Sequence, residues 1–155
     1  MYEEIVKRHR PKGWRIRYSK TFDKRAAEYK VELQTKKRLG NSFPDLAHSM
    51  TFTDNSKVIT IPRIIDEFTL QIALHEFGHV ALGHLRDNPP KLASHKEEWE
   101  AERWSINVMR TEGIAITKEI TRSMRRYLRR LVKQDTAKGK PIHPPVKKFV
   151  ERTNV

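Results

Sequence analysis

Two histidines four residues apart, His75 and His79, bracket a glutamate in the stretch His75-Glu76-Phe77-Gly78-His79. Four residues is about one helical turn, so on a helix the two imidazoles project from one face, one above the other. Nitrogens placed in this way can share one divalent cation. The Glu76 carboxylate lies beside that face, within reach of a water on the cation. The spacing therefore points to metal-assisted hydrolysis. Two imidazoles and one carboxylate, without additional acids, suit zinc better than iron or manganese. The competing reading is a pair of core histidines. Against it, Ile72, Ala73, Leu74, Phe77, Val80, Ala81 and Leu82 make the segment apolar on most sides. A buried helix carrying two imidazoles and a carboxylate needs partners for them, and a cation supplies these. Gly78 lowers helix stability by about 1 kcal/mol relative to alanine; its return is close approach of a second backbone or of a substrate.

A hydrolytic zinc site takes three protein ligands and keeps a fourth position for water. His84 is nine and five residues beyond the two histidines. On a continuous helix it points away from both, and it reads as a helix-end residue whose imidazole suits the dipole. The third ligand is expected from the acidic segment 94–104. Ser94 and Glu97 have capping-box spacing, which gives Glu97 a role at a helix start and leaves it as the reserve ligand. Glu98 and Glu102 read as a more solvated face. Glu100, one turn before Trp104 and beside the small Ala101, is the expected ligand. The metal set is then His75, His79 and Glu100, with Glu76 as general base. A further oxyanion donor is open among His95, Tyr127 and Arg103.

The string HEFGHVALGH over 75–84, followed by EWEAERWS over 98–105, resembles the gluzincin-type metallopeptidase domains of the ImmA/IrrE family. In that pattern the matching positions of the second string are Glu98, Glu100, Ala101, Trp104 and Ser105. The resemblance covers roughly residues 20 to 112. It implies a zinc peptidase acting on a protein or peptide substrate, with a repressor-like regulator as one such substrate. The chain departs from the family where a Leu-Leu-Met-Pro-like segment is usual, having Ile106-Asn107-Val108-Met109-Arg110 instead.

The elements that must position these residues can be read from periodicity and punctuation. A short helix is expected over 2–10 and a strand over 14–18, where apolar and basic residues alternate. A helix follows from Thr21 or Asp23 to about Leu39, with Phe22, Ala26, Tyr29 and Leu33 inward and Gly40 as its stop. Segments 49–53 and 57–61 read as a hairpin ahead of the metal helix. In it, Val58 to Ile61 is a candidate edge for pairing with an extended peptide, alongside an ordinary core hairpin. The metal helix runs from about Asp66 to Leu85 and stops before Asn88-Pro89-Pro90. A glutamate helix covers about His95 to Thr111, and a third helix about Thr117 to Gln134. The fold class expected is α+β: a small zincin-like domain, mostly helical, with a short sheet before the metal helix. Residues 1–135 form the domain. Residues 136–155, rich in Lys and Pro, form an extended basic tail, in which His143 reads as a free surface histidine.

The net charge of +13 is unevenly placed. Residues 7–38 carry thirteen basic and three acidic side chains, and residues 117–155 carry twelve and three. The intervening 39–116, with the motif, has seven basic and eleven acidic. Such segregation points to a polyanionic partner such as nucleic acid. Arg122, Arg125, Arg126, Arg129, Arg130 and Lys133 read as its binding face on the third helix. This supports an alternative function: a nucleic-acid-binding protein, or a partner-binding regulator, with a structural or idle metal site. The chain has no cysteine, which excludes disulfides and thiolate metal sites. No apolar run suits a signal peptide or a membrane span, so a cytoplasmic protein is expected.

Overall fold

The computed structural model describes residues 2–35, 56–84 and 94–152, together with the backbone of 48–51. Val58-Ile59-Thr60-Ile61 is buried at every position, on both faces of its strand. A strand buried on both faces belongs in the middle of a sheet rather than at its margin. The elements in chain order are α1 (Tyr2–His9), β1 (Arg15–Tyr18), α2 (Lys20–Thr35), β2 (His48–Thr51) and β3 (Lys57–Ile61). They continue with α3 (Glu67–Ala81), α4 (His95–Thr111), α5 (Lys118–Ala137) and α6 (Pro144–Glu151).

The sheet order is β1-β3-β2. β2 pairs antiparallel to β3, with Ser49 opposite Ile59, as a hairpin requires. β1 pairs parallel to β3, with Ile16 opposite Ile59. Both sides of β3 are thereby occupied, so the candidate peptide-pairing edge at Val58 to Ile61 is corrected: its backbone has no free side for an incoming strand. The Gly40 stop, the turn at 54–55 and the Asn88-Pro89-Pro90 stop lie outside the described residues.

α3 packs on β2 and β3, and α1, α4 and α5 also lie against it. Phe68, Leu70, Leu74 and Phe77 are fully or almost fully buried. Each contributes about 1.5–3 kcal/mol of burial, which fixes the helix that carries the two histidines. α2 turns Ala26, Tyr29 and Leu33 inward, as its spacing implies. Among the described residues no helix is long and apolar enough to cross a membrane.

The extended tail is a second correction. Pro144 and Pro145 open α6, where a missing N–H and a fixed φ suit the first turn. Val146 and Val150 are buried with Leu128 of α5, and Trp99 packs against them from α4. The spacing Val146, Phe149, Val150 is itself a helical apolar stripe, which the Lys and Pro content had masked.

Candidate metal centre

Both helices that build the site start on side-chain caps. Asp66 caps α3 by accepting from Thr69 N at 2.9 Å, with the Thr69 side chain reaching back to the Asp66 backbone. Ser94 caps α4 by accepting from Glu97 N at 3.2 Å, and Glu97 Oε1 accepts in turn from Ser94 N. Glu97 thus has the helix-start role its spacing gave it and stands outside the group with ligand spacing. The two helices come close at Gly78. A β-carbon there would stand 3.1 Å from the Ala101 carbonyl oxygen and 3.3 Å from Trp104 Cβ. Gly78 and Ala101 are therefore the pair of small residues that lets α4 bring its carboxylates to α3.

The carboxylates that arrive are Glu98 and Glu102, and this corrects the expected ligand set. Glu98 Oε2 lies 2.7 Å from His75 Nε2 and 3.1 Å from His79 Nε2, and the two imidazole nitrogens are 3.0 Å apart. Glu100 is two residues on from Glu98, roughly 200° around the helix. Its side chain is 40% exposed, against 9% for Glu98, and it faces His84 instead of the cluster. Glu98 and Glu102 are one turn apart and share the buried face of α4, not a solvated one. Among the described residues, His75, His79 and Glu98 form the group with ligand spacing.

These three atoms fit a cation better than they fit each other. With both Nε2 atoms unprotonated, two imidazole nitrogens and a carboxylate oxygen mutually about 3 Å apart offer three lone pairs to one point. Tetrahedral coordination at ordinary N and O bond lengths places neighbouring ligand atoms about 3.3 Å apart. The observed separations of 2.7–3.1 Å need to open by only a few tenths of an ångström.

An outer layer orients each ring. His75 Nδ1 lies 2.9 Å from Glu102 Oε1, at ion-pair distance. Gln71 Nε2 donates to Glu102 Oε2 at 2.6 Å and also reaches Ser105 Oγ. His79 Nδ1 lies 3.0 Å from His84 Nδ1. That contact arises because α3 does not continue. Gly83 takes φ +71°, its N–H bonds to Val80 O, and the His84 N–H bonds back to His79 O. This 6→1 and 5→2 pair is a Schellman end. It turns His84 back over the helix, where a straight continuation would have carried it away.

The electrostatics match a site built for positive charge. Burial opposes the Glu98 carboxylate, but His75 and His79 outweigh it and hold its pKa well below the usual range. Burial likewise opposes the His75 imidazolium, and Glu102 and Glu98 overcome this and raise its pKa well above the ordinary value. Glu76 follows His75 on α3 and is half-buried.

The remaining expected residues lie elsewhere. His95 is buried at the start of α4. Its Nδ1 is 2.6 Å from Asp135 Oδ2, and its Nε2 accepts from the His143 backbone N–H at 3.0 Å. Both ring nitrogens are thereby engaged, so His95 ties α4 to α5 and to the start of α6 and does not serve the site. Arg103 stacks on Trp99 at 5.7 Å. The six-residue basic face of α5 is also divided. Arg122 donates to Leu33 O, Arg125 to Phe149 O, and Arg129 to Val150 O, while Arg126 pairs with Glu32. Three of these arginines bond the carbonyls that the ends of α2 and α6 leave without helical partners. Arg130 and Lys133 are exposed. No family model, curated protein or solved structure matches this chain.

Proposed function

We propose that this protein is a zinc-dependent metallopeptidase of the gluzincin type, as its resemblance to the ImmA/IrrE domains implies, and that it cuts a protein substrate. The observation that carries the reading is the convergence of His75 Nε2, His79 Nε2 and Glu98 Oε2, each within 3.1 Å of the other two. These three would hold the ion. Zinc so held supplies Lewis acidity and lowers the pKa of water toward neutrality. Glu76 accepts the proton of the attacking water and passes it to the leaving amine. Glu102 and Gln71 hold the His75 ring, and the apolar side chains of α3 keep bulk water from the inner side. Zinc is preferred because two imidazoles and one carboxylate form a set that it takes readily.

Arg122, Arg125, Arg126 and Arg129 of α5 are committed to partners within the fold, so nucleic-acid binding through that face is not the reading the geometry favours. The peptidase reading is tested with a quenched-fluorescent peptide library. Zinc-loaded protein should cleave members of the library, and chelation should stop it. Glu76→Gln should retain zinc and lose about 10²–10⁴-fold in rate. Cleavage by that variant at the wild-type rate would remove Glu76 from the mechanism. Cleavage that survives chelation would remove the metal.

A further inference from the structure

We infer that His84 is a positioning residue for His79, fixing which of its ring nitrogens faces the metal. The inference rests on the zinc reading above and adds a residue to it. His79 Nε2 converges with His75 and Glu98, while His79 Nδ1 lies 3.0 Å from His84 Nδ1. Two ring nitrogens at that separation need one proton between them. When Nε2 gives its lone pair to a cation, the proton of the neutral ring sits on Nδ1, so His79 donates and His84 accepts. The proton of His84 is then on Nε2, which faces Glu100 Oε2 at 3.5 Å. His84 Nδ1 is thereby the acceptor that holds the Nδ1 proton of His79 and leaves Nε2 facing the metal.

The other metal-facing ring is served separately, by Glu102 with Gln71 behind it. One histidine is thus oriented by a carboxylate directly and the other through a second imidazole. The His84 side chain is only 8% exposed, so its nitrogens meet protein partners more than water. Its ring is not needed for the helix end. The backbone N–H of His84 and the left-handed φ of Gly83 make the Schellman bonds, and a substitution of the ring leaves both in place.

Zinc affinity of the full chain, measured by competition with a chromophoric chelator, tests this with three variants whose helix content is checked by circular dichroism. The amide oxygen of asparagine falls about where His84 Nδ1 stands, whereas glutamine reaches toward Nε2. His84→Ala and His84→Gln should each weaken zinc binding about 10–100-fold, and His84→Asn should stay within about threefold of wild type. A loss of ring packing alone would affect Asn as much as Gln. Wild-type affinity in the alanine variant, or equal affinities of the Asn and Gln variants, would overturn the inference and leave the zinc reading intact. If the alanine variant fails to fold, the Asn and Gln pair decides. A wild-type protein that binds no zinc would overturn both.

Discussion

Among the described residues, two clusters of buried ionisable side chains differ in whether their groups satisfy one another. Where α5 meets α6 and the start of α4, every partnership is complementary. His95 donates from Nδ1 to Asp135 and accepts at Nε2 from His143 N, and Arg125 and Arg129 donate to carbonyls of α6. Between α3 and α4, two imidazole nitrogens and a carboxylate oxygen instead point at one another. The first arrangement is closed, and its groups act as joints. The second gathers acceptors around one point, a place that a proton on His75 or a cation can fill. A buried polar cluster is thus informative about function when donors and acceptors fail to balance, not merely because it is buried.

The contrast can be broken from the closed side first. Asp135→Ala leaves the His95 N–H buried without an acceptor and should cost about 1–3 kcal/mol in chemical denaturation, with zinc content unchanged. Loss of zinc in that variant would join the two regions that the structure separates. Asp135 also predicts a pH dependence. Burial opposes its charge, but bonds from the His95 side chain and backbone outweigh burial and lower its pKa. A carboxyl depressed in the folded state contributes stability that is complete above its unfolded value, near 4, and is lost as pH falls through the folded one. Denaturation midpoints should fall below about pH 4 more steeply in wild type than in Asp135→Asn. Equal slopes would mean that the pair is not made in solution.

Arg125→Met sharpens the comparison at the basic face. It removes the bond to Phe149 O and the guanidinium stacked 4.7 Å over the Phe149 ring. A cost of about 1–2 kcal/mol in stability is expected, without change in affinity for duplex DNA. Unchanged stability with weaker DNA binding would restore the nucleic-acid role to that arginine. The smallest effect is expected at Gly78. Alanine there adds helix propensity but meets backbone atoms of Ala101, which cannot yield as a side-chain tip would. Gly78→Ala should be net destabilising by about 1 kcal/mol. Net stabilisation would show that α3 and α4 are not in tight contact.

Local signals carried much of this structure. The helix starts at Asp66 and Ser94 and the inward stripe of α2 follow from side-chain types at fixed spacing, with no distant partner needed. The choice of Glu100 failed for a physical reason. Glutamate side chains usually face solvent, so the apolar stripe of α4 stops at Ala101 when only apolar and small residues are followed. Tracing Met109, Ser105 and Ala101 back by three or four residues leads to Glu102 and Glu98, the two that are buried. The two-sided burial of β3 was hinted at by Val58-Ile59-Thr60-Ile61, which does not alternate apolar with charged residues, but the parallel partner β1 lies some forty residues away, and such pairing leaves no local signature. The return of His84 was signalled by Gly83, a residue type suited to the left-handed end of a helix. The arginines of α5 looked like a binding surface because helix-end carbonyls that need donors cannot be seen in a one-dimensional pattern.

The most direct measurement is the zinc content of the purified protein by elemental mass spectrometry, with Glu98→Ala and Glu100→Ala beside wild type. Wild type and Glu100→Ala should each carry about one zinc per chain, and Glu98→Ala should carry almost none. A metal-free wild type, or zinc lost from Glu100→Ala and kept by Glu98→Ala, would contradict the site described here.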